Sequence, residues 1–165
     1  MLRTSLIIIA TLLCSICVSA QQIPSISLKT VEGKTINTAE LDNEGKPIII
    51  SFWATWCKPC LRELNAIHEM YEEWQEETGL KLVAVSTDEA QNVNRVKPLV
   101  DRFGWEYEVW LDPNGDFKRA MNAHTMPTVI IIDGKGNIVE TRYGYTDGSE
   151  THLIEKVREL IEQED

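Results

Sequence analysis

Residues 47–60 read PIIISFWATWCKPC and place a short apolar run directly before two cysteines that are separated by two residues. The run Pro47–Trp53 is rich in β-branched residues, a composition that favours a central strand buried on both faces. Beyond the cysteines the apolar period changes to steps of three and four, which predicts an amphipathic helix over Pro59–Thr78 that ends at Gly79. The apolar face of this helix contains Leu61, Leu64, Ile67, Tyr71 and Trp74. A Cys-x-x-Cys pair is therefore expected where a buried strand passes into a long helix.

The rest of the chain predicts an α/β sandwich around this unit. Pro98 removes a backbone donor from one predicted helix, which should kink or restart there, and Ser149 is expected to cap the last helix. Strands and helices alternate along most of the chain, which calls for a mixed sheet with helices on both sides. Strands are expected near Ile26–Leu28 and at Thr35–Asn37, Lys81–Ser86, Tyr107–Leu111, Thr128–Asp133 and Ile138–Tyr143, and helices at Asn92–Phe103, at Asp116–Met121 and after Ser149.

Composition and charge narrow the class of protein. The chain has 165 residues, of which 43% are hydrophobic, which is enough for one domain with a buried core. Its formal net charge is −10. Binding to nucleic acid or to an anionic membrane depends on basic patches, so this charge argues against both. We therefore expect no nucleic-acid partner.

The first 20 residues have the pattern of a secretory signal peptide. Arg3 precedes the apolar run Leu6–Val18, and Val18-Ser19-Ala20 supplies small residues at the positions that a signal peptidase reads. The run is shorter than the roughly 20 residues that a helix needs to span a bilayer, which disfavours the alternative of an uncleaved anchor. We expect an exported, periplasmic or otherwise extracytoplasmic protein whose mature domain covers residues 21–165.

Cleavage after Ala20 determines which cysteines remain in the mature protein. Cys14 and Cys17 lie within the signal peptide, and neither follows the small residue that a lipidated cysteine requires. The mature chain therefore keeps only Cys57 and Cys60. Zinc needs about four ligands, and two cysteines with three scattered histidines make a structural zinc site improbable. No metal site is predicted.

The Cys57/Cys60 pair is a strong redox signal in an exported chain. Cys57 should lie at the N-terminus of the predicted helix, where unpaired N–H groups and the positive end of the dipole favour a thiolate. Lys58 adds a positive charge, and Pro59 suits the first helical turn because its missing N–H would be unpaired there. We predict that Cys57 is the nucleophile and Cys60 the resolving thiol. The alternative is an inert structural disulfide, which would stabilise the fold only weakly because the loop that it closes contains very few residues.

The motif FWATWCKPC at residues 52–60, followed by Glu63 and by Met126-Pro127-Thr128, resembles the TlpA/ResA-like thioredoxins. The resemblance covers roughly residues 24–165. It implies a thioredoxin-like three-layer sandwich with an extra helix and strand inserted at about 87–111. It also implies an exported thiol-disulfide oxidoreductase whose only redox group is the Cys57–Cys60 disulfide, without a further cofactor.

The resemblance also assigns site residues. Many thioredoxins have a buried Asp as proton acceptor where this chain has Ser51, and the family pattern offers Glu63 instead. Helical spacing agrees, because a residue three after Cys60 shares its face. The alternative is that Glu63 is one more acid on an acidic helix. Pro127 matches the family's cis-proline, which leaves the backbone of Met126 free to pair with substrate.

Partners follow from the same resemblance. The family reduces disulfides of other proteins and is re-reduced by a membrane protein that relays electrons. Some cytochrome c maturation members have a Glu directly after the proline, and Thr128 stands there instead, which argues against an apocytochrome-specific role. Trp56 is expected to contact a partner, whereas packing is expected for Trp53.

A function of a different class stays open at this point. The two thiols could bind Cu(I) in a metallochaperone, with His68 or His124 as a third ligand. The spacing of the cysteine pair stands against this alternative, and ordinary solvated histidines are the simpler interpretation.

Overall fold

The computed structural model describes residues 22–163, so the predicted signal peptide lies outside the described residues. The strands are β1 Ser27–Thr30, β2 Thr35–Asn37, β3 Ile48–Trp53, β4 Lys81–Ser86, β5 Glu108–Leu111, β6 Thr128–Ile132 and β7 Ile138–Tyr143. The α-helices are α1 Lys58–Thr78, α2 Val96–Phe103, α3 Asp116–Ala120 and α4 Thr151–Glu162, and 3₁₀ turns cover Thr38–Glu40 and Val93–Arg95. These elements agree with the predicted ones apart from small shifts at their ends.

All seven strands form one mixed sheet in the order β2-β1-β5-β4-β3-β6-β7. The central strands β3, β4 and β5 are parallel, β6 runs antiparallel to β3, and β7 runs antiparallel to β6. At the other side, β1 pairs antiparallel with both β2 and β5. The ends of β3 and β4 and the start of β6 therefore meet at one edge of the sheet.

Helices cover both faces of the sheet, which confirms the predicted sandwich. One core lies under α1, α2 and α4, where Leu64, Val100 and Val157 pack with the sheet residues Ile49 and Leu82. The second core lies on the opposite face, where α3 contributes Phe117 and the sheet contributes Ile50 and Val83. Every residue of β3 is buried, as expected for a central strand with both faces covered. Among residues 22–163, no helix combines the length and apolar character that crossing a membrane requires.

The helix predicted at Asn92–Phe103 restarts earlier than expected. A 3₁₀ turn at Val93–Arg95 precedes α2, which begins at Val96 rather than at Pro98. Pro98 consequently falls in the first turn of α2, where backbone N–H groups have no intrahelical acceptor. The proline costs no hydrogen bond there, and the predicted restart of the helix occurs two residues before Pro98.

The prediction that Ser149 caps the last helix was wrong. Glu150 occupies the N-cap position of α4, and no side chain caps the helix. The Ser149 hydroxyl instead accepts a hydrogen bond from the backbone N–H of Thr146 at 3.4 Å. The Ser149 carbonyl accepts another from Arg142 Nη1 at 2.8 Å, so this residue closes the preceding turn.

Candidate active site

The two cysteines lie where β3 passes into α1, as predicted. Cys57 and Cys60 form a disulfide with a Cα–Cα distance of 5.3 Å. Cys57 is the N-cap residue of α1, and its Sγ accepts a hydrogen bond from the backbone N–H of Cys60 at 3.3 Å. Pro59 lies in the first turn and Lys58 is exposed. The sulfur of Cys57 thus sits at the helix end that stabilises negative charge.

The cysteines differ in their access to solvent. Cys57 keeps 5% of its surface exposed, whereas Cys60 is completely buried within the core beneath α1. A bulky disulfide substrate can therefore reach the sulfur of Cys57 before that of Cys60.

Glu63 lies on the same buried side of α1 as Cys60. It is 3% exposed, which is unusual for a glutamate. Burial raises the pKa of Glu63 to about 8, because the charged carboxylate is poorly solvated there. The carboxyl group is consequently close to half-ionised slightly above neutral pH.

The residues around Glu63 adjust this pKa in opposite directions. The positive charge of Arg142 on β7 and the hydroxyl of Ser51 on β3 lower the pKa of Glu63, whereas the carboxylate of Glu150 raises it. Ser51 and Arg142 both pair with Val129 in the sheet, so they lie in one row across adjacent strands. Within residues 22–163, neither Ser51 Oγ nor Glu63 Oε2 has a well-formed hydrogen bond. Both oxygens are therefore buried polar atoms whose hydrogen-bonding capacity is not used up within the described structure.

A proline loop leads into β6, whose first residue pairs with Phe52 near the end of β3. The Met126–Pro127 peptide bond is cis, as the resemblance implied. Pro127 is buried, and its carbonyl accepts a hydrogen bond from the N–H of Gly144 at 2.8 Å. Within the described part of the chain, the backbone N–H and carbonyl of Met126 have no hydrogen-bond partner. This backbone edge is free to pair with an extended peptide.

The two tryptophans of the motif face different surroundings. Trp53 is buried and packs edge to face against Trp105, with ring centroids 5.0 Å apart. Trp56 directly precedes Cys57 and is 65% exposed. An indole that is exposed to this extent offers apolar contact area next to the reactive sulfur.

Two residues at the end of β4 also belong to this site, and sequence reasoning missed them. Thr87 Oγ1 lies 3.1 Å from the carbonyl oxygen of Trp53 and 3.1 Å from Met126 Sδ, so it links β3 to the proline loop. Asp88 is buried and accepts hydrogen bonds from Thr55 in the cysteine loop. Their position after a buried parallel strand was the available signal, since functional groups collect at that end of such strands.

The histidines are not gathered around the thiols. Within residues 22–163, no group of three or more His, Cys, Asp or Glu side chains is placed to hold a metal ion. His124 is exposed in the loop before Pro127, and His68 lies on α1 with its ring 6.3 Å from that of Tyr107. This arrangement gives no support to the Cu(I) alternative.

Comparison with known proteins places this site in a family. The AhpC/TSA family profile matches residues 19–141. Thiol-disulfide oxidoreductase ResA of Halalkalibacterium halodurans is 32% identical over 146 residues, which cover 88% of this chain and 78% of that protein. Thioredoxin-like protein YneN of Bacillus subtilis is 33% identical over 125 residues, covering 75% of this chain and 71% of that protein.

One solved structure is more similar to this chain in sequence than these two relatives. The solution structure of an uncharacterized thioredoxin-like protein from Porphyromonas gingivalis shares 62% identity and a TM-score of 0.77, with 86% of this chain and 92% of that chain covered. The fold, the cysteine pair and these relatives together define a thioredoxin-fold thiol-disulfide oxidoreductase. The chain belongs to the AhpC/TSA family, and its sequence-based resemblance to the ResA type is confirmed.

Proposed function

We propose that this protein is exported and reduces disulfide bonds of other exported proteins, with Cys57 attacking and Cys60 resolving. The observation that carries the proposal is the arrangement along α1. Cys57 caps the helix and keeps 5% of its surface exposed, Cys60 is completely buried, and the buried Glu63 follows on the same side. Attack, resolution and proton acceptance are thereby assigned to Cys57, Cys60 and Glu63, in their order along α1.

The first step is a thiol-disulfide exchange. The Cys57 thiolate attacks one sulfur of a substrate disulfide, the substrate S–S bond breaks, and the other substrate sulfur leaves as a thiolate. The backbone N–H of Cys60 and the start of α1 stabilise the attacking thiolate. The product is a mixed disulfide between Cys57 and the substrate.

The second step needs a proton acceptor within the protein. Cys60 is buried, so its thiol cannot readily pass a proton to bulk water. An ionised Glu63 accepts this proton, the Cys60 thiolate attacks Cys57 Sγ, and the second substrate sulfur is released. A pKa of about 8 for Glu63 is close to the ordinary thiol pKa of ~8.5, which suits transfer in both directions. The substrate gains two electrons, and the protein ends with the Cys57–Cys60 disulfide.

The substrate is held beside Cys57 by backbone and apolar contacts. An extended segment pairs with the free backbone of Met126 in the proline loop, as a strand pairs with a sheet edge. The exposed indole of Trp56 packs against the apolar side chains of that segment. Recognition by backbone and one aromatic ring favours unfolded or extended regions over a particular sequence.

Each cycle leaves the protein oxidised, so a reductant must restore the two thiols. An exported protein lacks access to the cytoplasmic thiol pool, and we assign this role to a membrane protein that relays electrons to a dithiol on the outer side. Whether the protein reduces or oxidises its substrates is tested by a redox titration in dithiothreitol buffers of graded potential. A potential near that of thioredoxin, about −270 mV, is expected for a reductase, whereas a value near the −120 mV of DsbA would identify an oxidant.

Trapping of the intermediate tests the two thiol roles. Cys60→Ala protein mixed with a peptide that contains one disulfide should accumulate a covalent complex through Cys57, because the resolving thiol is gone. Cys57→Ala serves as the matched control and should form none. A stable complex with Cys57→Ala, carried by Cys60, would contradict the proposal.

Export has a separate test. Intact mass of the protein purified after expression with its full N-terminus should correspond to a chain that begins at Gln21. A mass that retains residues 1–20 in the membrane fraction would contradict cleavage and export as a free domain.

A further inference from the structure

Asp88 is a buried carboxylate that the chemistry described so far does not use. It lies just beyond the end of β4 and is 1% exposed. Its Oδ2 accepts hydrogen bonds from the backbone N–H of Thr55 at 2.8 Å and from Ser86 Oγ at 3.0 Å. Its Oδ1 accepts a third from Thr55 Oγ1 at 2.6 Å. Hydrogen bonds of this kind to an ionised carboxylate are about twice as strong as neutral ones.

These bonds fix the turn that leads into Cys57. The backbone N–H of Cys57 donates to the carbonyl of Ala54 at 3.0 Å, so Thr55 lies inside a tight turn that ends at the reactive cysteine. Asp88 binds both the N–H and the hydroxyl of Thr55, which fixes the position and the orientation of the turn relative to β4. The turn is also restrained by the Cys57–Ala54 hydrogen bond, by the start of α1 and by the hydrogen bonds from Thr87 to the Trp53 carbonyl.

We propose that Asp88 is a positioning residue for the attack by Cys57, acting through Thr55. It holds the Cys57 sulfur at the N-terminus of α1, in line with the incoming substrate disulfide. The proposal rests on the assignment of Cys57 as the attacking thiol. The two oxygens of Asp88 already accept three hydrogen bonds, so we assign this residue no part in the transfer of the Cys60 proton.

The chain provides a matched control for this carboxylate. Asp112 directly follows β5, the strand next to β4, and is also 1% exposed. Its Oδ2 accepts a hydrogen bond from the backbone N–H of Lys118 at 2.8 Å and so holds α3, on the other face of the sheet. Asp88→Asn and Asp112→Asn remove the same charge from equally buried positions, but only the first position contacts the cysteine loop.

The experiment compares both variants with the parent in the reduced state. Two quantities are measured, the pH dependence of Cys57 alkylation and kcat/KM on a peptide disulfide. Asp88→Asn should raise the apparent pKa of Cys57 because the sulfur moves away from the helix N-terminus, whereas loss of the carboxylate charge alone would lower that pKa. It should lower kcat/KM by about 10- to 100-fold, the usual cost of misplacing a reacting group by about 1 Å. Asp112→Asn should leave both quantities at their parental values, although it removes the same charge from an equally buried position.

A second pair of variants covers the case in which Asp88→Asn does not fold. Thr55→Ser keeps both donors to Asp88 and should retain parental alkylation and turnover, whereas Thr55→Val loses the hydroxyl donor and should shift both in the direction expected for Asp88→Asn. Parental values in Thr55→Val would overturn the proposal, as would equal effects of Asp88→Asn and Asp112→Asn.

Failure of this inference can be told apart from failure of the proposed function. Preferential alkylation of Cys60 in the parent protein would overturn the thiol roles themselves. Preferential alkylation of Cys57, with parental behaviour of the Asp88 and Thr55 variants, would overturn only the positioning role.

Discussion

Glu63 lies about one turn of α1 beyond Cys60, and both side chains are buried on the same side of the helix. A buried glutamate is costly when it is ionised, which is why the pKa of Glu63 is raised to about 8. A buried carboxyl group with a raised pKa is common at sites of proton transfer, and we propose that the buried thiol of Cys60 is its partner.

The raised pKa of Glu63 predicts that stability depends on pH. The carboxyl group has a higher pKa in the folded protein than in the unfolded chain, so its contribution is present below about pH 4.5 and is lost as pH rises through about 8. Glu63→Gln cannot ionise and should gain stability relative to the parent by roughly 5 kcal/mol above pH 8. Chemical unfolding of the oxidised protein at graded pH measures this difference.

The control for that measurement is Glu72→Gln, which changes an exposed glutamate on the same helix. It should leave the pH dependence of the parent unaltered. A difference between Glu63→Gln and the parent that stays constant with pH would show that Glu63 is already ionised in the folded protein.

The proton-acceptor role of Glu63 predicts a defect confined to resolution. Glu63→Gln should form the mixed disulfide at the parental rate, because Cys57 is unchanged, and should release substrate about 10²- to 10⁴-fold more slowly. Single-turnover quenching with a fluorescent peptide disulfide separates the two steps. Equal release rates in the variant and the parent across the pH range would remove Glu63 from the mechanism.

Arg142 is predicted to set the pH at which resolution becomes fast. Its positive charge lowers the pKa of Glu63, so Arg142→Met should raise that pKa further and move the rise of the resolution rate to higher pH. Arg158→Met is the control, because Arg158 pairs with Glu77 at the surface at 2.6 Å. A shift to lower pH in Arg142→Met would contradict the electrostatic account.

Trp56 is predicted to contribute to binding and not to thiol chemistry. Trp56→Ala should raise KM for an extended peptide disulfide, because it removes apolar area beside Cys57, and should leave the alkylation rate of Cys57 unchanged. Met70→Ala is the matched control, because Met70 is also an exposed apolar residue but lies on α1, away from the motif. Equal KM values in Trp56→Ala and Met70→Ala would exclude the indole from the substrate site.

The pattern around residues 47–60 was sufficient to predict the strand, the helix and the cysteine pair, because the spacing of apolar residues along the chain indicates both the type of element and its buried face. Glu63 was singled out by the family resemblance, and helical spacing agreed with its place on the face of Cys60. Its burial and the opposing charges of Arg142 and Glu150 depend on tertiary structure, which no local pattern reveals.

The role of Asp88 could not be predicted from local sequence either. An acid after a strand is a common surface feature, and only the parallel pairing of β3 with β4 brings it beside Thr55. The role of Ser149 was not predictable from local sequence either, because its hydroxyl and carbonyl pair with Thr146 and Arg142 and do not cap the last helix.

The most direct test of the central claim is the order in which the two thiols of the reduced protein are alkylated. Substoichiometric iodoacetamide, followed by mass mapping of residues 57 and 60, reports which sulfur is the accessible thiolate. Because Cys57 lies at the N-terminus of α1 and Cys60 is fully buried, label on Cys57 should precede label on Cys60 at every pH below about 8.5. Label that appears first on Cys60, or on both cysteines at one rate, would contradict the account.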